Sequence, residues 1–130
     1  MLRTLIIIAV GTVLLAGCAG PDITGPERTA TTFARAISAS DGELACTLLS
    51  AEVSSSLADS AGVPCPAAVL TQDLPTPSAV RDAQRFGHQA LVTTSTDTVF
   101  LSEFPDGWKI IGAGCRVRGD RPYDCAVSGG

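Results

Sequence analysis

The sequence offers few side chains that could carry acid–base chemistry. His88 is its only histidine and Tyr123 its only tyrosine, accompanied by thirteen Asp and Glu residues. Histidine titrates near neutral pH, and isomerases or hydrolases pair such a base with an acid inside a pocket. A histidine beside a glycine at the start of a strand is more often a surface residue, so we predict no catalytic residue. Trp108 joins these two as a residue that could line a pocket or contact a partner.

The N-terminus has the pattern of an export signal. Met1-Leu2-Arg3 supplies one positive charge, and an apolar run from Leu5 to Leu15 follows. A membrane-spanning helix needs about 20 apolar residues, so this shorter run is typical of a cleaved signal. The sequence Leu15-Ala16-Gly17-Cys18 at its end resembles a bacterial lipobox.

The lipobox resemblance implies that the chain is cut before Cys18 and that the Cys18 thiol carries a diacylglycerol. Two acyl chains anchor a protein stably in a bilayer. We therefore expect a signal peptide over residues 1–17 and a lipidated cysteine with a flexible tether over 18–26. A single domain over 27–130 would face the extracytoplasmic side of the cell membrane. An uncleaved anchor or an ordinary signal peptide is the alternative.

The other four cysteines are Cys46, Cys65, Cys115 and Cys125. No CxxC motif occurs and histidine is scarce, so we predict neither a metal site nor a cofactor. An even number of cysteines in an exported domain indicates disulfides. Three pairings are possible, and Cys46–Cys65 with Cys115–Cys125 is favoured because each would close a local loop within one half of the chain.

Composition limits the class of protein. A chain of 130 residues is expected to form one domain. Its longest apolar run lies in the export segment and does not contribute to the core. The remaining core must be small and rich in alanine, so disulfides would supplement it. The net charge of −4, with no basic cluster, makes nucleic acid and anionic headgroups poor partners.

The first half of this domain has helical periodicity. Ala30, Phe33, Ala34 and Ile37 recur at i, i+3, i+4 and i+7. We predict a first helix from Pro26, a second capped by Asp41, a third from Ser50 to near Gly62, a short fourth through Leu70, and a loop from Leu74 to Ser78. The apolar part of the second helix is expected to be Leu44, Leu48 and Leu49 with Cys46.

The second half has the shorter period of strands. The predicted strands are Val80–Phe86, His88–Thr93, Asp97–Phe104, Trp108–Cys115 and Tyr123–Val127. A turn is expected at Thr94-Ser95-Thr96, a hairpin turn at Asp106-Gly107, and a polar loop from Arg116 to Pro122. Helices followed by an antiparallel meander indicate an α+β fold, with N-terminal helices and an antiparallel sheet.

The aromatic residues of the strands have predicted neighbours. Trp108 should pack across the sheet against Phe100 or Phe104. Tyr123 should pack over the Cys115–Cys125 disulfide.

Several motifs resemble small actinobacterial lipoproteins: Cys46-Thr47-Leu48-Leu49-Ser50, Gly107-Trp108-Lys109-Ile110 and Pro122-Tyr123-Asp124-Cys125. Those proteins are largely uncharacterised and have a cone-shaped fold similar to nuclear transport factor 2 or cystatin. The resemblance covers most of residues 27–130. It implies a cone formed by the curved sheet and its helices.

These expectations lead to three hypotheses. A non-catalytic lipoprotein that binds an envelope protein should expose an apolar patch. One that binds a small apolar ligand should enclose a pocket of about 300 Å³ or more. The alternative, a small isomerase or hydrolase, should direct His88 or Tyr123 into that pocket beside an acid.

Overall fold

The computed structural model of the protein describes Gly17, residues 20–75 and residues 79–129, with the side chain of Arg121 excepted. Four helices come first along this part of the chain, and five strands follow. The helices pack against the antiparallel sheet, as expected for an α+β fold.

The helices are α1 Thr24–Ser38, α2 Gly42–Leu48, α3 Ala51–Ala61 and α4 Cys65–Val69. Their boundaries follow from capping residues that the sequence displays. The Asp41 side chain accepts a hydrogen bond from the Leu44 amide, and the Ser50 hydroxyl accepts one from the Val53 amide. Gly62 ends α3 in the left-handed region at φ 69°, a conformation that costs glycine little.

One prediction for α2 is wrong, because Leu44 lies on its exposed face. The buried residues of this helix are Gly42 and Ala45. The cause is the close approach of α4: a Cβ on Gly42 would overlap the carbonyl oxygen of Pro66. Small residues are therefore needed where the two helices cross, and the larger leucine is left outside.

The strands are β1 Val80–Phe86, β2 Gln89–Thr94, β3 Thr98–Phe104, β4 Gly107–Arg118 and β5 Arg121–Ser128. Within the described residues they form one sheet in the order β1-β2-β3-β4-β5, and every neighbouring pair is antiparallel. Chain order equals spatial order because each strand is joined to the next by a short turn.

Two turn predictions need correction. The β3–β4 turn is formed by Pro105 and Asp106, because Gly107 already pairs with Phe104 as the first residue of β4. The predicted polar loop over residues 116–122 is a tight hairpin, in which only Gly119 and Asp120 lie between the strands. Arg116 and Arg118 lie in β4 and are exposed to solvent.

The core lies between the helices and one face of the sheet. It is formed by apolar side chains that include several alanines, as expected for so small a core. The buried members are Ala30, Phe33, Ala36, Ala45, Leu49, Val53, Leu57, Ala68, Val69, Ala90, Val92, Val99, Leu101, Ile110, Ala113 and Val127. Strand residues alternate between faces, so Phe100, Ser102 and Phe104 lie on the opposite, helix-free face of β3.

Two disulfides reinforce this small core, and both predicted pairings are confirmed. Cys46–Cys65 joins α2 to the start of α4, and Cys115–Cys125 joins directly opposed residues of β4 and β5. One bond therefore holds the helical layer and the other holds the edge of the sheet.

The segment between α2 and α3 also contacts the sheet. Leu49 forms a parallel bridge with Ile110, and the Ser50 amide donates a hydrogen bond of 2.9 Å to the Ile110 carbonyl. β5 pairs with β4 only from Gly112 onward, so this segment occupies the part of the β4 edge that β5 does not reach.

The meander gives the sheet two distinct ends. We call the end with the turns at Gly87-His88 and Pro105-Asp106 the tether end, because the chain enters α1 there: Gly25 lies against the Trp108 ring. The distal end carries the turns at residues 95–97 and 119–120.

Candidate functional site

An apolar cavity of about 100 Å³ lies between the C-terminal half of α1 and the sheet, near the distal end. Phe33, Ile37 and Val99 contribute to its walls, and Leu74 and Pro75 cover one side. Ligand pockets are usually about 300 Å³ or larger. The cavity therefore has room for only a few heavy atoms.

Asp97 at the cavity rim organises the β2–β3 turn. Its carboxylate accepts a hydrogen bond of 2.6 Å from the Thr94 hydroxyl and one of 3.1 Å from the Gly114 amide. Both carboxylate oxygens are therefore used in hydrogen bonds that join the end of β2 to β4. We did not predict this role, although a Thr-Ser-Thr-Asp turn is a common setting for such side-chain bonds.

His88 lies outside the cavity, at the tether end. Its side chain is 87% exposed, and Nδ1 is 3.2 Å from a Glu103 carboxylate oxygen. The same oxygen accepts a hydrogen bond of 2.8 Å from Arg85. An acid is thus within reach of the histidine, but the pair faces solvent and lines neither the cavity nor the groove described below.

Trp108 is half-buried at the edge of the core, on the helix-covered face. The Arg85 guanidinium carbon is 5.1 Å from its ring centroid, within cation–π range. A Cβ on Gly25 would lie 2.6 Å from the ring, so the ring packs directly against the backbone of α1. The predicted contact with Phe100 or Phe104 is wrong, because strand alternation puts those rings on the other face.

Tyr123 lies beside the second disulfide and meets Phe100 edge to face, with ring centroids 5.0 Å apart. Phe100 in turn borders on the disulfide, since a Cβ on Gly112 would be 3.3 Å from Cys115 Sγ and 3.7 Å from the Phe100 ring. The tyrosine is nevertheless 41% exposed. It is thus available for contact on the helix-free side.

The distal hairpin, which we define as residues 116–124, carries further exposed side chains. Val117 is 66% exposed, and the flanking Arg116 and Arg118 are exposed as well. Arg116 is paired in register with Asp124, which moderates the positive charge. Val117 and Tyr123 thus project apolar surface from the distal end between charged residues.

A surface groove of about 280 Å³ lies at the tether end, between the β3–β4 turn and the helices. Phe104 and Lys109 form one wall, and Leu49 and Ser54 lie on the other. Lys109 donates a hydrogen bond of 2.8 Å from Nζ to the Thr47 carbonyl and is therefore engaged in holding the groove's sides together.

Asp22 fixes the chain just before α1. Its carboxylate accepts a hydrogen bond of 2.9 Å from the Thr24 amide, and this bond is the main reason that its pKa is lowered. The Thr24 hydroxyl and the positive charges of Arg85 and Arg28 act in the same direction. The Asp22 carbonyl also accepts a bond of 3.4 Å from Arg85 Nη1.

The lipobox, a membrane-spanning helix and a metal site were also considered from the sequence. Leu15, Ala16 and Cys18 of the lipobox lie outside the described residues, and Gly17 is described as exposed. Within the described part of the chain, no helix is long and apolar enough to cross a membrane, and no group of three or more His, Cys, Asp or Glu side chains is arranged to hold a metal.

The three aromatic or titratable candidates are not brought together. His88 and Trp108 lie at the tether end and Tyr123 lies toward the distal end, and none of the three lines the cavity or the groove. Comparison with known proteins adds no constraint: no family model matches the chain, nor does any curated protein or solved structure.

Proposed function

We propose that this protein is a non-catalytic, lipid-anchored component of the cell envelope that binds another envelope protein through the distal hairpin. The observation that carries the proposal is the exposure of Val117 and Tyr123 on one hairpin. Tyrosine and arginine are enriched in protein interfaces, and exposed apolar side chains flanked by them favour a contact surface.

The interior favours this hypothesis over the other two. The buried polar side chains among the described residues have hydrogen-bond partners, and the cavity is apolar and small. A catalytic pocket would need an acid or base aimed into it. His88 instead points into solvent, so the isomerase or hydrolase alternative loses its best candidate.

The lipid anchor is the second part of the proposal and rests on the lipobox resemblance. Cleavage before Cys18 would leave a short tether before α1, which begins at Thr24. The cone shape of the actinobacterial lipoproteins is proposed on the same resemblance. Register shifts in the β3–β4 pairing and the positive φ of Gly114 support it, because bulges and glycines bend a sheet.

The anchor is tested by Cys18→Ala, with Thr4→Ala in the same segment as a control. Cells are fed an alkyne-labelled fatty acid and then fractionated. We expect the Cys18 variant to lose the label and leave the membrane fraction, while the control keeps both. Undiminished labelling of Cys18→Ala would refute the anchor.

The binding surface is tested by photocrosslinking in cells, with benzoylphenylalanine placed at Val117 or, as a matched control, at Phe86. These two side chains are 66% and 65% exposed on the domain itself, so the control differs in its place on the fold and not in its burial by the protein. We expect a discrete heavier adduct from position 117 that Tyr123→Ser weakens. Equal adducts from both positions, or none from position 117, would count against a distal contact.

A further inference from the structure

We infer that the tether end of the domain rests on the membrane, with Phe86 and Phe104 in contact with the bilayer interface. This inference rests on the lipid anchor at Cys18 proposed above and adds the orientation of the domain. It concerns the lipid surface itself as the partner of this end of the fold.

The first argument is the length of the tether. Four peptide units separate Cys18 from Asp22, and fully extended they reach about 14 Å. The chain at Asp22 is held to the domain by the hydrogen bond between its carbonyl and Arg85, and Gly25 packs on the Trp108 ring. An anchored Cys18 would therefore keep the tether end within about 14 Å of the headgroups, since four peptide units can span no more than that.

The second argument is what this end exposes. Phe86 ends β1 and is 65% exposed, and Phe104 ends β3 and is 40% exposed. Strand alternation places both on the face opposite the Arg85–Trp108 contact, because Arg85 and Glu103 point to the helix-covered side. Phe104 there also forms a wall of the groove beside the start of α3. Exposed aromatic rings of this kind are stabilised at the boundary between headgroups and acyl chains.

The third argument is charge. Arg85 pairs with Glu103 at 2.8 Å, and Lys109 lies 3.5 Å from Asp106. These two positive side chains are thus neutralised by neighbouring carboxylates. The tether end does not present the cluster of basic residues that binds anionic lipids. The contact should therefore be apolar and should occur on uncharged phosphatidylcholine.

The distal end is too far away to share this contact. α1 runs from the Trp108 side at the tether end toward the cavity near the distal end, and its 15 residues span about 22 Å. Val117 on the distal hairpin has the same exposure as Phe86, so it is the matched control site for a test of orientation.

The test uses the full chain, processed and lipidated in a bacterial host and reconstituted into phosphatidylcholine vesicles with brominated acyl chains. Phe86→Trp and Val117→Trp are each compared with the parent protein, in which Trp108 is the only tryptophan. We expect the brominated lipid to quench the added fluorescence of Phe86→Trp at least twofold more than that of Val117→Trp. The emission of Phe86→Trp should also shift to the blue, and 0.5 M NaCl should leave the difference unchanged.

Each outcome decides the inference. Equal quenching at the two sites, stronger quenching at Val117→Trp, or a difference that salt abolishes would overturn it. The mass of the N-terminal peptide is measured on the same samples. A diacylated Cys18 with equal quenching overturns the orientation alone, whereas an unmodified Cys18 overturns the anchor proposal and this inference together.

Discussion

Removal of the two disulfides provides a quantitative test of how this small core is held together. The perturbations are the double variants Cys46→Ala/Cys65→Ala and Cys115→Ala/Cys125→Ala. The bonds close loops of 19 and 10 residues, so chain entropy alone gives about 3 kcal/mol for each, with the longer loop ahead by about 0.6 kcal/mol. Burial acts in the other direction, because Cys115 is 1% exposed whereas Cys46, Cys65 and Cys125 are half-buried.

Loss of a fully buried sulfur leaves a small void, which costs about 1 kcal/mol. The other three sulfurs are half-buried, so packing favours the Cys115–Cys125 bond by only about 0.5 kcal/mol, which offsets the entropic difference. We therefore expect the two variants to lose nearly the same stability. Each loss corresponds to a fall in Tm of roughly 12–24 °C for a domain of this size.

The assay is urea unfolding followed by Trp108 fluorescence and circular dichroism, in a Cys18→Ser background that carries no unpaired thiol. A loss below about 1 kcal/mol for either pair would refute the loop-entropy estimate. A difference between the two variants clearly above about 1 kcal/mol would contradict the balance of loop entropy and packing.

Two further predictions concern the α2–α4 crossing and the start of α1. Gly42→Ala should destabilise the fold by about 3 kcal/mol in urea unfolding, because its methyl group would overlap the Pro66 carbonyl. The control Gly62→Ala has open space around it and should cost about 1 kcal/mol. Equal losses for the two variants would contradict the close crossing of α2 and α4. An NMR titration should place the pKa of Asp22 below 3.8, because the Thr24 amide binds its carboxylate. Because the folded pKa lies below the unfolded value, the carboxylate contributes stability above pH 3.8 that is lost as the pH falls through the folded pKa. The Thr24 amide signal should therefore change in that acidic range. A pKa of 3.8 or higher would argue against the hydrogen bond.

The helical half was predictable because local chemistry determines it. The helix starts follow from the side-chain oxygens of Asp41 and Ser50, which accept hydrogen bonds from backbone amides. The end of α3 follows from Gly62, which adopts a left-handed conformation at little cost because it has no side chain. Leu44 was misassigned because hydrophobicity alone does not reveal that α4 passes too close for a leucine to be buried.

The strands were predictable where one face is buried. Asp97–Phe104 was predicted within one residue of β3, in which Val99 and Leu101 are buried. The distal hairpin was missed because solvent reaches both faces of its first strand: Arg116, Val117 and Arg118 are all exposed, so no buried apolar face distinguishes this segment from a polar loop. Only the Gly119-Asp120 turn marked it.

The candidate sites depend on long-range contacts that spacing does not encode. The Arg85–Glu103 pair joins β1 to β3, and the Arg85–Trp108 contact joins β1 to β4. Both follow from strand register, which the turns determine. The disulfides were the exception, since each closes a local loop that the sequence separation itself favours.

The bond from the Ser50 amide to the Ile110 carbonyl has a kinetic consequence. Its two ends are separated by roughly 60 residues of chain, so closing it costs more chain entropy than closing any bond within one helix or one hairpin. The Ser50 amide is buried, and its exchange with solvent deuterium requires that the two layers separate. Its exchange rate should therefore measure the free energy needed to separate the helices from the sheet. Amides within the α2 helix or the β1–β2 hairpin should exchange through smaller, local openings.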